Sequence, residues 1–403
     1  MVPNGWCIGT IEDIAKVTSG GTPSRTKDSY WNGHIPWVTT SEVKFGVIAD
    51  AVQKITQEGL DNSSAKLFPK DTILMAMYGQ GKTRGQVAKL GIEASTNQAC
   101  AALLLHKEYD VEYYYQFLTS QYENIRELAN SGGQQNLSAG IIKDIRVPIP
   151  PLPEQRKIAK ILSTWDKAIT TTEKLIETSQ QQKKALMQQL LTGKKRLVNP
   201  ETGEAFEGKW ETMSIAQLIT ESRLAGTNGE LAKKITVKLY GRGVTKKEEK
   251  RLGSESTKYY KRKAGQFIYS KLDFLNGAFG IIPQSLDGYE STLDLPAFDF
   301  TVNVVPKWFI EFVSRDDFYT SNLGLANGGR KARRVNPKDL LQLKVRLPSL
   351  IEQHKIATVL TATDKEIELL EAKLAHFKQE KKALMQQLLT GKRRVKVADM
   401  EVA

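Results

Sequence analysis

The groups in this sequence best suited to chemistry are amides and cationic side chains set beside glycines. Tyr78-Gly79-Gln80-Gly81-Lys82-Thr83-Arg84-Gly85-Gln86 places Lys82, Arg84 and Gln86 in a glycine-rich string. Arg25 and Lys27 follow Gly20-Gly21-Thr22-Pro23. Ser131-Gly132-Gly133 leads into Gln134, Gln135 and Asn136, and Asn327-Gly328-Gly329 leads into Arg330, Lys331, Arg333 and Arg334. Further basic clusters run from Arg242 through Lys246 and Lys247 to Arg251, and from Lys258 to Arg262 and Lys263. Arg and Lys pair with guanine edges, and Asn and Gln with adenine edges. Glycines let backbone N–H groups approach phosphates. These segments are therefore candidates for DNA contact, with a solvated basic surface as the plain alternative. Tyr259 and Tyr260 could stack on bases or pack inside.

Covalent chemistry finds less support. Ala76-Met77-Tyr78-Gly79-Gln80-Gly81-Lys82-Thr83 meets a relaxed phosphate-loop pattern, with Ile73-Leu74-Met75 as the strand before it. Arg84-Gly85-Gln86-Val87-Ala88 does not launch an amphipathic helix, so nucleotide binding is a poor reading. No Asn/Asp-Pro-Pro-aromatic tetrad of an adenine methyltransferase is present. His34, His106, His354 and His376 with Cys7 and Cys100 show no metal-ligand spacing. No catalytic or metal residue is assigned.

The elements that must position these groups come from a duplication. Lys183–Gly193 reads KKALMQQLLTG, and Lys381–Gly391 repeats it, an offset of 381 − 183 = 198. Glu154-Gln155 and Glu352-Gln353 align at the same offset, as do Asp166-Lys167 and Asp364-Lys365. Apolar residues recur at alternating steps of four and three: Ile158, Leu162, Trp165, Ile169, Ile176, Leu186 and Leu190, with Thr172, Ser179 and Lys183 filling the register. The second copy carries Ile356, Leu360, Ile367, Leu370, Leu374, Phe377, Leu384 and Leu388, with Thr363 and Lys381. This is a heptad seam on two long helices. Prolines precede each helix, and Gly193 and Gly391 are expected C-caps. The spacing predicts an antiparallel intramolecular coiled coil with a pseudo-two-fold axis. Glu154 to Leu191 is 38 residues, a rod of ~57 Å. Four residues added near Thr192 and its repeat are expected to lengthen it by ~6 Å. The stretches before the helices begin alike (Trp6, Ile11 and Ile14; Trp210, Ile215 and Leu218) and end alike (Ile145-Arg146-Val147; Leu343-Lys344-Val345), with divergent interiors. The basic run after the second helix matches the one that leads into Trp210, so the ends are expected to lie close, as in a ring cut once.

With 403 residues the chain is long enough for two to three domains, and its net charge of +13 favours a polyanionic partner. Two cysteines make no disulfide framework, and no signal or membrane-spanning segment is evident, which reads as cytoplasmic.

Several strings resemble the target-recognition domains of type I restriction-modification specificity subunits. They are Ser19-Gly20-Gly21-Thr22-Pro23-Ser24, Tyr30–Trp37, Tyr78–Gln86 and Thr96–Cys100, with Pro148–Gln155 opening the family's shared helix. In the second half, Val237–Val244 and Ala264–Leu272 resemble another subclass of that domain. The proline-rich approach is missing at Leu350-Ile351-Glu352-Gln353, which leaves the second helix start open. The resemblance implies that each domain reads one half of a bipartite, asymmetric DNA site. The helical regions would set the spacer and dock two methyltransferase subunits, and motor-nuclease subunits would join. S-adenosylmethionine, ATP and Mg would belong to those partners, leaving this chain non-catalytic.

The expected fold is α+β: two α/β recognition domains in tandem, joined by two long antiparallel helices in a circular organisation. The expected boundaries are 1–153 and 198–351 for the recognition domains, with 154–197 and 352–403 for the helical regions and tail. The competing readings are a protein-binding coiled-coil scaffold and a self-contained methyltransferase or nuclease. Salt-sensitive duplex affinity would separate the first, and activity of the lone chain the second.

Overall fold

The structure is a computed structural model and describes residues 2–79, 82–128, 136–248, 253–321, 326–327 and 334–397. The chain forms two compact units, Met1–Glu173 with Ala372–Ala403, and Lys174–Glu371. Each unit holds one sheet-rich domain and part of both long helices.

In the first unit, Cys7–Thr10 pairs antiparallel with Arg146–Ile149, tying the domain's beginning to its end. The main sheet runs Ala15–Ser19, Cys100–Leu105, Ile73–Ala76, Val87–Leu90 and Val47–Ile48 in spatial order. Its inner strands are continuous apolar runs because both faces are covered. Ile73, Met75, Ala101 and Leu103 face a core with Tyr113 and Tyr114 of the helix Val111–Ser120. The alternate residues Leu74, Ala76, Cys100 and Ala102 face a second core with Val38, Ile48 and Leu90. A further sheet joins Gln53–Ile55, Trp31–Val38, Ala94–Thr96 and Leu67–Phe68.

In the second unit, Glu211–Ser214 pairs antiparallel with Lys344–Leu347. The main sheet runs Ile219–Ser222, Ala297–Phe300, Phe267–Tyr269 and Phe279–Ile281. Those four strands occupy the chain positions of the first four in the other unit's sheet, in the same spatial order. The remaining strands differ: here a three-stranded sheet of Ala225–Asn228, Lys258–Lys261 and Glu290–Ser291, and a hairpin of Ile235–Val237 with Val244–Lys246. Phe267, Phe279, Phe298 and Phe309 fill the core beneath the main sheet. The expected common frame with unlike interiors is what the strands show.

The long helices span Leu152–Leu190 and Leu350–Leu388, 39 residues each. Their bounds differ by the repeat offset, 350 − 152 = 198, which settles the open second start. Pro153 lies in the first turn, where backbone N–H groups lack helical partners anyway. Every expected seam residue on both helices is buried or half-buried. In the first unit Trp165 meets Phe377 edge-on at 5.5 Å, Asp166 pairs with Lys381 at 2.6 Å, and Glu173 pairs with Lys378 at 2.7 Å. Rising numbers on one helix meet falling numbers on the other, so the helices run antiparallel. In the second unit Lys183 pairs with Asp364 at 2.6 Å, the duplicate of the Asp166–Lys381 pair. Gly193 and Gly391 both adopt φ of +73°, the expected left-handed caps.

Candidate nucleic-acid interface

The most regular polar construction is the duplicated Glu-Gln at the start of each long helix. Glu154 and Glu352 are buried carboxylates in the helices' first turns. Glu154 accepts from the indole N–H of Trp6 at 3.2 Å and from Nε of Arg394 at 2.8 Å. Glu352 accepts from Trp210 at 3.2 Å and, with both oxygens, from Arg196 at 2.6 and 2.8 Å. A fork–fork guanidinium pair and an indole thus compensate each buried charge. Gln155 and Gln353 then accept from the backbone N–H of Asp110 and Val305 and donate to the carbonyls of Pro150 and Pro348. They fasten each long helix to the shorter helix of its own domain. Arg394 also donates to the carbonyl of Asn4 at 2.7 Å, as Arg196 does to that of Gly208 at 2.9 Å. The contact of Arg394 with Asn4 supplies across space what the chain supplies covalently between Arg196 and Gly208. The run after the second helix thus lies beside the start of the first domain, as expected.

On these frames sit the candidate contact residues. Arg25 is exposed, with its guanidinium 3.8 Å from the Trp31 ring and Nη1 donating to Oε1 of Gln53 at 2.8 Å. Lys27 is exposed and donates to the Tyr30 hydroxyl at 2.9 Å, a bond that raises its pKa. Lys82 is exposed, and Arg84 and Gln86 are half-buried in the turn after it. Gln80 and Gly81 lie outside the described residues, but the turn's exit is clear. Gly85 adopts φ of +81°, and Val87–Leu90 returns as a strand antiparallel to Ile73–Ala76. A strand rather than a helix follows, so no helix N-terminus is presented to a phosphate here. Asn136 is exposed, while Gln134 and Gln135 lie outside the described residues.

In the second unit, Arg242, Lys246, Lys247 and Lys263 are exposed. Arg242 follows Tyr240, which is 74% exposed and adopts φ of +59°. Arg334 is exposed on a short strand, 3.8 Å from Asp294. Arg330, Lys331 and Arg333 lie outside the described residues.

Arg262 departs from expectation. Its side chain is fully buried and donates to Ser291 Oγ at 2.8 Å and to the carbonyls of Ser222 and Leu295 at 2.9 and 3.2 Å. Burial pushes its pKa down to about 10, which still leaves it charged at neutral pH. It ties strands together and has no edge left for DNA. Tyr260 packs 5.6 Å from it, and Tyr259 lies 5.4 Å from the Lys234 amine, so both rings are half-buried packing groups. Sequence reasoning missed Trp31 and Gln53 as supports of Arg25. Trp31 lay in plain view six residues on, but nothing local marked Gln53.

Among the described residues no group of three or more His, Cys, Asp or Glu side chains could hold a metal ion. Burial raises the thiol of Cys100 to about 12, an inert core group. No helix among the described residues is long and apolar enough to cross a membrane.

A duplicated frame thus carries two unlike surfaces whose exposed groups include basic and amide side chains. Residues 3–179 match the family model described as the type I restriction modification DNA specificity domain. Over nearly its whole length the chain is similar to type I restriction enzyme specificity subunits. It is 25% identical to the MjaVIII specificity subunit of Methanocaldococcus jannaschii, over 98% of this chain and 94% of that one. The MjaIX specificity subunit of the same organism is 30% identical over 178 residues, 43% of this chain and 40% of that one. The crystal structure of a type I restriction-modification S subunit from M. genitalium shares the fold, with a TM-score of 0.59 at 16% identity. That match covers 96% of this chain and 98% of the other.

Proposed function

We infer that this chain supplies DNA sequence specificity to a type I restriction-modification complex and performs no catalysis itself. Segments 1–153 and 198–351 each read one half of a bipartite, asymmetric duplex site. Segments 154–197 and 352–403 set the spacer and dock two methyltransferase subunits, and motor-nuclease subunits complete the assembly. S-adenosylmethionine and ATP with Mg bind those partners, in the cytoplasm. One observation carries the reading: the two domains share the strand order of their main sheets, while the sheets beyond it and the exposed side chains differ. An enzyme would need one constellation of catalytic groups. Two half-site readers need one frame and two surfaces.

The exposed set named above supplies the chemistry. Lys82, Lys246 and Lys247 suit phosphates, and Arg25, Arg242 and Asn136 suit base edges. The deciding experiment maps methylated adenines in DNA from cells expressing this chain with its partner subunits. One bipartite motif, with one modified adenine in each half, is expected. Methylation scattered without a motif would defeat the reading. A pure scaffold predicts no duplex affinity, whereas a specificity subunit loses affinity steeply as salt rises.

A further inference from the structure

Among the exposed cations of the first unit, Arg25 is held in place by its neighbours on several sides. The indole N–H of Trp31 donates to the carbonyl of Ser24 at 3.0 Å, fixing the backbone just before Arg25. The same indole ring lies 3.8 Å from the Arg25 guanidinium. Trp37 meets Trp31 edge-on at 5.1 Å and lies 5.0 Å from the guanidinium. Trp37 is itself buried and donates to the carbonyl of Gly21 at 2.9 Å. Gln53 stands opposite Trp37 in the paired strands and accepts from Arg25 Nη1 at 2.8 Å. One tryptophan therefore sets the backbone and the plane of Arg25, and Gln53 sets the rotation within that plane.

Two consequences follow from guanidinium geometry. Nη1 is spent on Gln53, while Nε and Nη2 have no protein partner among the described residues. Those two donors form one parallel fork, the edge that matches N7 and O6 of guanine in the major groove. A guanidinium already immobilised loses little further freedom on binding, which strengthens a contact of fixed geometry such as a base edge. Lys27, two residues on, differs: its amine is held by the Tyr30 hydroxyl and has no planar fork.

We propose that Arg25 reads a single guanine in the half-site of the first domain, with Trp31 and Gln53 as its positioning residues. This rests on the half-site reading above. The test is selection of bound duplexes from a randomised library by the full-length chain and by two variants. The unaltered chain should enrich a bipartite motif. Arg25→Lys keeps the charge but loses the fork. It should lower the preference for guanine at one position by about ten- to a hundredfold, the usual worth of a bidentate base contact. All other positions should stay as they were, and the second half of the motif serves as the folding control. Gln53→Ala leaves Arg25 present but untethered, and should weaken the same guanine preference severalfold without changing its position. Arg25→Lys with an unchanged motif, or with uniform weakening at every position, would overturn the proposal alone. Gln53→Ala without effect at that position would remove Gln53 from it. An unaltered chain that enriches no motif would overturn the half-site reading and, with it, this assignment.

Discussion

Asp166 and Lys381 lie 215 positions apart in the chain and meet at 2.6 Å, and Lys183 meets Asp364 at 2.6 Å in the same roles exchanged. The duplication has written each helix so that its acid finds the other's base. In the second unit the pair is extended, since Lys307 also reaches Asp364 at 2.9 Å and Glu311 at 2.7 Å.

That cluster gives an acid-limb prediction. Burial acts to raise the pKa of Asp364, but bonds from Lys183 and Lys307 outweigh it and hold the carboxyl below its ordinary value. A depressed carboxylate contributes stability above its unfolded pKa, and that contribution vanishes as pH falls through the folded value. Thermal unfolding of the full chain should therefore weaken below about pH 4. Asp364→Asn should flatten that part of the profile while lowering stability at pH 7. An unchanged profile between pH 2 and 4 would contradict the role given to this carboxylate.

The Glu-Gln clamp should be costly to break. Glu352→Gln leaves Arg196 beside a neutral group in a buried place and should cost about 3 kcal/mol in denaturant unfolding. Glu154→Gln should cost less, because Arg394 is 41% exposed and can recover water. Equal losses would mean that solvent access at the two clamps does not matter.

Arg262 and Lys246 should separate cleanly. Arg262→Ala strands several buried carbonyl and hydroxyl acceptors and should destabilise the second unit by roughly 3 kcal/mol or more. Lys246→Ala should leave unfolding unchanged while weakening duplex binding alike for every sequence. Its log-log salt slope should shrink by about one. Salt titrations of binding, beside unfolding curves, check both.

The ruler is better lengthened away from the helix ends. Leu190 and Leu191 are buried in the second unit's core, and Gly193 abuts Trp210, so four residues added near Thr192 would displace that core. Four residues would also shift the heptad phase if placed mid-helix. Seven residues inserted in both helices, after Glu173 and after Glu371, keep the seam and add ~10 Å. The spacer of the methylated motif should then grow by about three base pairs at ~3.4 Å each. An unchanged spacer would defeat the ruler role.

Local and repeated features were plain in the sequence by itself. The offset of 198 fixed two equal helices, the steps of four and three fixed their buried faces, and the glycines fixed their caps. Such features are legible because helix period and cap chemistry depend on residues within a few positions of one another. Only the tertiary structure decided that Arg262 is an internal brace, that Gln53 orients Arg25, and that Glu154 waits for Arg394, 240 positions on. Among many cations of identical type, local composition cannot distinguish a buried guanidinium from an exposed one. That choice depends on which strands the fold brings alongside, and so on contacts distant in the chain.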